Sequence, residues 1–191
     1  GNTVYRPQVS VAGFIPLSGS GRDIYNFNPG WRYYKGDMER AETVELDDSD
    51  WEVVATPHSV ELMPAEASGC RNYQGPVWYR KWFVIPAATR GKQVFIHFEA
   101  VMGKQKVYLN GHLVKEHLGG YLPFNIDLTA NGIQAGDSCL IAVMADNSDD
   151  KSYPPGKRQY TLDFSYHGGI YRDVWMIAKS DVSITDAVDA G

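Results

Sequence analysis

The stretch Lys106-Val107-Tyr108-Leu109-Asn110-Gly111-His112-Leu113-Val114-Lys115-Glu116 decides the fold class. Its centre, Asn-Gly, suits a two-residue type I′ turn, because both positions of that turn need a positive φ angle. One run of residues, 106–109, leads into the pair and a second, 112–116, leads out of it. The stretch therefore predicts a β-hairpin.

Similar short strand signals recur on both sides of this hairpin. Trp78–Ile85 is rich in aromatic and β-branched residues and is closed by Pro86, and Gln93–Ala100 has the period of two that is typical of a half-buried strand. Four more strands are predicted over Trp31–Tyr34, Leu140–Ala145, Ile170–Ala178 and Asp181–Thr185. Apolar spacing typical of a helix is not seen in any window of about 11 residues. The pattern predicts an all-β fold, either a β-sandwich or a jelly roll.

Length and charge limit the function classes. The chain has 191 residues, which fits one domain and falls short of the about 250 residues that a (β/α)₈ barrel typically takes. A formal net charge of −5 leaves no basic patch for nucleic acid. No apolar run approaches the ~18 residues of a membrane span. We expect an extended leader over residues 1–26, the sandwich over 27–185 and the start of a linker over 186–191.

The sequence gives conditional expectations for the compartment of the protein and for the oxidation state of its two cysteines. A signal peptide upstream of Gly1 would make the protein periplasmic or secreted, and without one it would be cytoplasmic. A core of this size needs no covalent staple. We therefore expect Cys70 and Cys139 to be free buried thiols, with a disulfide between them as the alternative.

The common catalytic and metal-binding patterns are missing from the sequence. None of the five histidines has HxxxH or HExxH spacing, and His112 and His117 are expected on opposite faces of one strand. The acidic stretch 146–150 lacks the Gly and Glu of an EF-hand and is predicted to be a solvated turn, with a bound cation as the alternative. No GxSxG elbow is present, and nothing singles out a carboxylate pair for glycoside hydrolysis.

Tyrosine and tryptophan are the remaining signal, because their rings stack on sugar faces while their polar tips bond hydroxyl groups. The five tryptophans lie in strand-like runs and are candidates for the core: Trp31, Trp51, Trp78, Trp82 and Trp175. The connection Asn147–Gly169 has no clear periodicity, and long loops in compact domains are usually functional or disordered. The tyrosines of this connection are the better ligand candidates: Tyr153, Tyr160 and Tyr166.

Taken together, several segments resemble the opening of glycoside hydrolase family 2, which includes β-galactosidases, β-glucuronidases and β-mannosidases. They span about residues 27–178: Phe27-Asn28-Pro29-Gly30-Trp31, Gly36-Asp37, Ser49-Asp50-Trp51, Thr56-Pro57-His58, Gly75–Lys81, Asn110-Gly111, His117–Phe124, Asp127-Leu128-Thr129 and Asp163–Trp175. The resemblance implies the family's sugar-binding domain, a jelly roll of the galactose-binding-domain-like kind. It implies a parent enzyme that is a retaining, β-galactosidase-like glycosidase. The nucleophile and acid/base glutamates of such an enzyme lie on a barrel that follows this domain and an immunoglobulin-like one, so we expect the fragment alone to be inactive.

The same resemblance implies the site residues. Asp163 stands six residues before Gly169, where an Asp of the β-galactosidase branch reaches the sugar and a bound sodium ion. Asn72 is the nearest match to a second contributor, and Tyr166 and His167 are assigned to substrate binding with it. A carboxylate at the rim of a sandwich can accept hydrogen bonds from sugar hydroxyls or ligate a hard cation. No cofactor is expected in the fragment, and sodium or magnesium would belong to the parent enzyme.

Two neighbours of this segment have other expected roles. Arg172 and Asp173 are expected to form an internal ion pair. The alternatives for Asp163 are an ion pair with Arg172 and the cap of a turn.

Three functions remain open from the sequence. The leading hypothesis is a non-catalytic domain that supports the barrel and completes the sugar subsite for hydrolysis of O-glycosyl bonds. Its partners would be a galactoside-like carbohydrate, the two following domains and, in the parent, further copies in a homo-oligomer. The alternatives are a stand-alone carbohydrate-binding module and a purely structural docking domain, which would expose an apolar patch of roughly several hundred Å².

Overall fold

The computed structural model describes residues 16–17, 22–58, 75–117, 123–148, 169–170 and 172–180. Within these ranges it has a short 3₁₀ turn at Ala87–Thr89 and eleven strands. The strands are β1 Pro16–Leu17, β2 Arg22–Asn26, β3 Trp31–Lys35, β4 Glu52–Val54, β5 Pro76–Val84, β6 Gln93–Phe98, β7 Lys104–Leu109, β8 His112–His117, β9 Phe124–Asp127, β10 Ser138–Asp146 and β11 Val174–Lys179. In the same ranges, no helix has the length and hydropathy needed to cross a membrane.

The strands form two antiparallel sheets that face each other. The five-stranded sheet has the order β1-β2-β11-β6-β9, and the six-stranded sheet has the order β4-β3-β5-β10-β7-β8. Strands that are neighbours in a sheet are mostly distant in sequence, as in a sandwich built from crossing connections. The predicted all-β sandwich is confirmed. The predicted strand over 181–185 lies outside the described residues.

The core lies between the sheets and is built from alternate residues of each strand. On β6, Val94, Ile96 and Phe98 point inward and are at most 4% exposed. Aromatic rings fill the centre edge to face, with Phe27 at 4.9 Å from Phe83 and 5.6 Å from Trp31 between ring centroids. Such edge-to-face pairs are favourable beyond the area that they bury.

A second apolar cluster lies on the outer face of the six-stranded sheet. Residues 36–51 cross this face, and Trp51 packs there with Trp78 and Ala142. Trp31, Trp51 and Trp78 are buried as predicted, whereas Trp82 and Trp175 are only partly buried. The six-stranded sheet is therefore packed on both faces.

The structure differs from the expected leader over residues 1–26. Arg22–Asn26 is strand β2, which pairs with β11 inside the five-stranded sheet, and Tyr25 is 4% exposed. The sequence of β2 gives only a weak alternation, and its place is fixed by pairing with a strand about 150 residues later in the chain. Described parts of the folded domain thus begin before residue 27.

The predicted hairpin is present as β7 and β8. Asn110 and Gly111 have φ angles of +48° and +86°, as a type I′ turn requires. A bulge shifts the register beside Tyr108, so that Leu109 pairs with His112 and Gln105 pairs with His117. Leu109 and Gln105 both point inward, and the two histidines therefore share one face of β8. The expectation of opposite faces is wrong because a bulge adds one residue to the strand.

Candidate functional site

One end of the six-stranded sheet gathers several chain connections. Asp146, the last residue of β10, pairs with Pro76 at the start of β5 and with Lys104 at the start of β7. The next residue of β7, Gln105, pairs with His117 at the end of β8. The segments that precede β5 and follow β8 and β10 therefore all meet the sheet at this end.

The five-stranded sheet contributes to the same end. Phe98 at the end of β6 pairs with Phe124 at the start of β9 and with Val174 at the start of β11. Residues 99–103 alone join β6 to β7, which brings these strand ends beside those of the six-stranded sheet. We call this end of the sandwich the loop end.

The predicted sugar-binding residues belong to segments that meet the loop end. Asn72, Asp163, Tyr166 and His167 lie outside the described residues, as do Tyr153, Tyr160 and Cys70. For the four predicted sugar-binding residues, the nearest described residues in the chain are Gly75, three residues after Asn72, and Gly169, two residues after His167. The geometry of the site can therefore be given for these two anchors.

Gly75 is tied to the end of β10. Its backbone N–H donates a hydrogen bond of 3.0 Å to the Oδ1 of Asn147, which is 7% exposed. Asp146, the residue before Asn147, packs its backbone carbonyl against Gly103. Gly103 has a φ of +93°, and a Cβ there would overlap that carbonyl. Close approach of the two backbones therefore requires glycine at this position.

Gly169, the second anchor, is hydrogen-bonded to Met102, which precedes Gly103 in the chain. The N–H of Met102 donates to the Gly169 carbonyl at 3.0 Å, which makes an isolated bridge between the two segments. Gly169 has a φ of +81° and lies against the Tyr79 hydroxyl, where a Cβ would collide with the ring. Contacts therefore connect the two anchors across the loop end. They run from Gly75 through Asn147, Asp146, Gly103 and Met102 to Gly169.

A closed set of hydrogen bonds joins His58, Tyr79 and Ile170. The His58 N–H donates to the Ile170 carbonyl at 2.8 Å. The Ile170 N–H in turn hydrogen-bonds the Tyr79 hydroxyl, which lies 2.7 Å from His58 Nδ1. Burial lowers the pKa of His58 and raises that of Tyr79. Both groups are therefore neutral near pH 7, and the hydroxyl donates to the ring nitrogen.

Asn28 is a junction that the sequence does not single out. Its side-chain oxygen accepts hydrogen bonds from the Thr56 hydroxyl and the Val174 N–H, both at 2.7 Å. Its side-chain NH₂ donates to Asp173 Oδ1 at 3.0 Å. Arg172 is exposed and forms no ion pair with Asp173, although both belong to the described chain. The expected ion pair is wrong because Asn28 holds the carboxylate from across the sheet.

In its described part, residues 146–148, the acidic stretch is not the predicted solvated turn, because Asp146 ends β10 and Asn147 is 7% exposed. Asp146 Oδ1 accepts hydrogen bonds from the N–H and the hydroxyl of Ser148, at 2.8 and 2.6 Å. No group of three or more His, Cys, Asp or Glu side chains that could hold a metal occurs among the residues described. Cys139 is a free, buried thiol. The cation proposed for Asp163 stays a prediction, because that residue is outside the described ranges.

A cleft of about 680 Å³ opens at the opposite end of the sandwich. It lies between the turn before β6, residues 89–94, and the connection that follows β9, residues 127–135. Several of its polar groups are already bonded within the protein, such as Gln93 Nε2 to Asp127 Oδ2 at 3.1 Å. The residues that line it include no aromatic side chain on which a sugar could stack.

Comparisons with known proteins point to one family. A family model described as glycosyl hydrolases family 2, sugar binding domain, matches residues 26–180. A β-galactosidase of Thermoanaerobacter pseudethanolicus is 40% identical over 166 residues, which cover 87% of this chain and 22% of that protein. A β-glucuronidase of Formosa agariphila is 32% identical over 183 residues, which cover 88% of this chain and 18% of that protein. The chain thus spans about a fifth of the length of these relatives.

Solved structures agree with the sequence comparisons. The crystal structure of a Bacteroides uniformis β-glucuronidase matches with a TM-score of 0.72 at 30% identity. The match covers 84% of this chain and 18% of that one. The sandwich described above is therefore the fold that these proteins share.

Proposed function

The chain belongs to glycoside hydrolase family 2, whose sugar-binding domain matches residues 26–180, and from this premise we propose that its loop end completes a sugar subsite in a glycosidase. The reaction is hydrolysis of an O-glycosyl bond by two glutamates of a barrel domain outside this chain. The substrate class is a β-galactoside, since the relative with the higher identity of the two described above is a β-galactosidase. An immunoglobulin-like domain and the barrel are the proposed neighbours.

The observation that carries this proposal is the path between the two anchors. Asn72 and Asp163 are 91 positions apart in the chain (163 − 72), yet Gly75 and Gly169 meet the same end of the sandwich. The segments that carry the candidate side chains therefore start from neighbouring, well-packed positions. Rigid anchors of this kind hold binding loops at low entropic cost.

We assign the main sugar contact to Asp163. A carboxylate accepts hydrogen bonds from two neighbouring hydroxyls, and bonds to a charged group are stronger than neutral ones. Asn72 adds a neutral donor and acceptor, and Tyr166 and His167 supply rings and polar tips at the rim. Hydrogen bonds to sugar hydroxyls that strengthen in the transition state lower the barrier to glycoside cleavage.

Substitution of Asp163 in the intact glycosidase tests the proposal. Asp163→Asn keeps the size but loses the charge, and we expect kcat/KM for p-nitrophenyl β-D-galactoside to fall about 10–100-fold, the equivalent of one charged hydrogen bond. Asn72→Ala is expected to cost less. Asp50→Asn is the matched control, because Asp50 is an exposed carboxylate on the outer-face segment. The proposal fails if Asp163→Asn and Asp50→Asn give the same kinetics.

The same assay tests the substrate class. Wild-type enzyme should cleave the β-D-galactoside faster than the matching β-D-glucuronide. A preference for the glucuronide would overturn the galactoside assignment and leave the role of Asp163 to be judged separately. Tm values of the variants, measured in parallel, show whether a kinetic loss reflects unfolding.

The purely structural docking alternative receives little support from the described surface. Val44, on the segment that crosses the outer face, is 37% exposed, and the most exposed large apolar side chains among the described residues are Val53 and Leu113, at 59% and 50%. They lie on β4 and β8, the opposite edges of the six-stranded sheet. Five strand spacings of about 4.8 Å separate those edges, roughly 24 Å, so the two residues do not form one patch.

A further inference from the structure

We propose that His58 and Tyr79 are positioning residues for the sugar site, which tie the segment after β4 to the chain at the Gly169 anchor without belonging to the binding loops themselves. This inference rests on the function proposed above and adds two residues to it. Neither residue stands among the predicted site residues. Tyr79 lies in the middle of β5, and His58 lies four residues after the end of β4.

The Tyr79 hydroxyl lies where three parts of the chain meet. Its ring points into the core from β5 with 0% exposure. Its oxygen is bonded by the Ile170 N–H and by His58 Nδ1, and Gly169 lies directly against it. A buried hydroxyl needs such partners, since an unpaired one costs about 1–3 kcal/mol. The hydroxyl therefore fixes the entry of the chain into the sandwich just after the segment that carries Asp163.

His58 completes the connection to the other loop. Its backbone N–H reaches the Ile170 carbonyl at 2.8 Å, and its ring packs over Tyr33 with 4.5 Å between centroids. Asn72 lies 14 residues after His58 on the same connection between β4 and β5. His58 thus bonds two partners. Its imidazole ring bonds the Tyr79 hydroxyl, and its backbone N–H bonds the Ile170 carbonyl.

The chemistry of the pair explains why simple core packing would not suffice. Phenylalanine would fill the volume of Tyr79 but would leave the Ile170 N–H and His58 Nδ1 without their shared partner. The nearby titratable groups are Tyr33 on β3, Tyr79 on β5 and Glu52 on β4. In the hydrogen bonds described above, the hydroxyl that joins His58 to Ile170 is that of Tyr79.

Tyr79→Phe, which removes one oxygen atom, is the direct test. In hydrogen exchange of the 191-residue chain, we expect the amides of His58, Met102 and Ile170 to exchange at least tenfold faster, because these N–H groups donate the bonds at this junction, while those of β7 and β10 keep their wild-type rates. Tyr34→Phe is the matched control, since Tyr34 lies on β3 with its ring stacked on Trp51 on the outer face. Equal effects of the two substitutions on these amides would refute the positioning role.

Kinetics of the intact enzyme test the link to the sugar. With p-nitrophenyl β-D-galactoside, we expect Tyr79→Phe and His58→Ala to raise KM about fivefold and to change kcat less than twofold. This is the result expected when a variant binds the substrate and the transition state more weakly by the same amount. His58→Asn should restore most of the wild-type KM, because its Oδ1 can stand where Nδ1 accepts the hydroxyl. An unchanged KM in Tyr79→Phe, or no recovery in His58→Asn, would overturn the proposal.

The two proposals can fail separately. If Asp163→Asn raises KM or lowers kcat/KM but Tyr79→Phe matches the Tyr34→Phe control, only the positioning role is lost. If Asp163→Asn has no effect while Tyr79→Phe still speeds exchange at Met102 and Ile170, the sugar site is lost and with it the positioning role in sugar binding.

Discussion

Arg80 and Lys81 are adjacent charged residues in the middle of β5, and both are buried, at 0% and 1% exposure. Because neighbouring residues of a strand point to opposite faces, each lies in a different cluster. Arg80 faces the outer cluster and Lys81 faces the core between the sheets. Each charge is stabilised by acceptors from segments far away in the sequence.

The Arg80 guanidinium holds the outer-face segment on the sheet. Its Nε donates to Asp48 Oδ2 at 2.9 Å, and its remaining donors reach the carbonyls of Ala41, Thr43 and Leu46. Removal of one member of a buried ion pair costs about 3–5 kcal/mol, since the other charge stays buried. We expect Arg80→Met to lower the free energy of unfolding by that amount in urea titrations. Asp48→Asn, which keeps an acceptor, is expected to cost less, and a loss below about 1 kcal/mol for Arg80→Met would contradict this role.

The Lys81 ammonium makes stability depend on pH. Burial lowers its pKa from 10.5 to about 7, although two backbone carbonyls, Phe27 at 3.0 Å and Pro29 at 2.6 Å, favour the cation. Between about pH 7 and 9 the unfolded chain therefore binds more protons than the folded one, and the free energy of unfolding rises with pH. Above that range the raised pKa values of Tyr25 and Cys139 act in the opposite direction.

Lys81→Met tests this assignment. The variant should lose the rise in stability between about pH 7 and 9, which we expect to be at most about 1.4 kcal/mol per pH unit, the limit for one proton. Urea unfolding at about pH 7, 8 and 9 measures it. If wild-type and Lys81→Met show the same slope, the proton comes from another group.

At the residue scale, the sequence predicts where strands form better than it predicts what stabilises them. The aromatic and β-branched residues around Arg80 and Lys81 identify β5. Both charges can be buried because backbone carbonyls of remote segments accept their hydrogen bonds. Every residue has a backbone carbonyl, so the residue types do not show where these acceptors lie. The junction at Asn28 is hidden for the same reason, since two of its partners are 145 and 146 positions away.

At the scale of elements, tight connections at the loop end depend on glycine. Gly103 and Gly132 both have a positive φ, of +93° and +79°, but differ in their surroundings. Gly103 lies against the Asp146 carbonyl, whereas a Cβ added at Gly132 would meet no atom within 4 Å. An L-residue in this left-handed region costs about 1–2 kcal/mol by itself. Gly132→Ala should therefore cost only that amount. Gly103→Ala should cost at least about 3 kcal/mol, because backbone atoms must also move.

Urea unfolding of both alanine variants makes the comparison. Equal losses would show that backbone conformation alone, and not the contact with β10, decides the requirement at Gly103. Hydrogen exchange at Gly75 and Met102 provides a local check, since a displaced connection between β6 and β7 would also loosen the bonds from Gly75 to Asn147 and from Met102 to Gly169.

Elements defined by local chemistry are predictable, and those defined by distant partners are not. The β7–β8 hairpin follows from Asn110-Gly111, because the turn is encoded by the two residues that form it. The bulge beside Tyr108 is not encoded in that way, and it moves His112 to the same face as His117. Strand β2 is hidden among residues expected to be a leader, since its pairing with β11 spans most of the chain.

At the scale of the whole molecule, a domain that completes a subsite and a stand-alone module differ in how tightly the isolated domain binds sugar. A domain that completes a subsite provides only part of the contacts, and the loss of ligand freedom on binding must be offset by all of them together. A stand-alone module provides the whole site. Affinity of the 191-residue chain is therefore the property that separates the two.

Thermal unfolding in the presence of about 10 mM methyl β-D-galactoside measures this affinity, because a ligand that binds only the folded state raises its stability. A subsite with Kd near or above about 10 mM stabilises by at most ~0.4 kcal/mol, which for a domain of this size shifts Tm by no more than about 2 °C. We expect that small shift. A module with a Kd near about 10 μM would gain about 4 kcal/mol and shift Tm by roughly 8–16 °C. A shift of the larger size that disappears in Asp163→Asn would place the complete site in this chain and overturn the dependence on a neighbouring domain, because no barrel is present to supply the missing contacts.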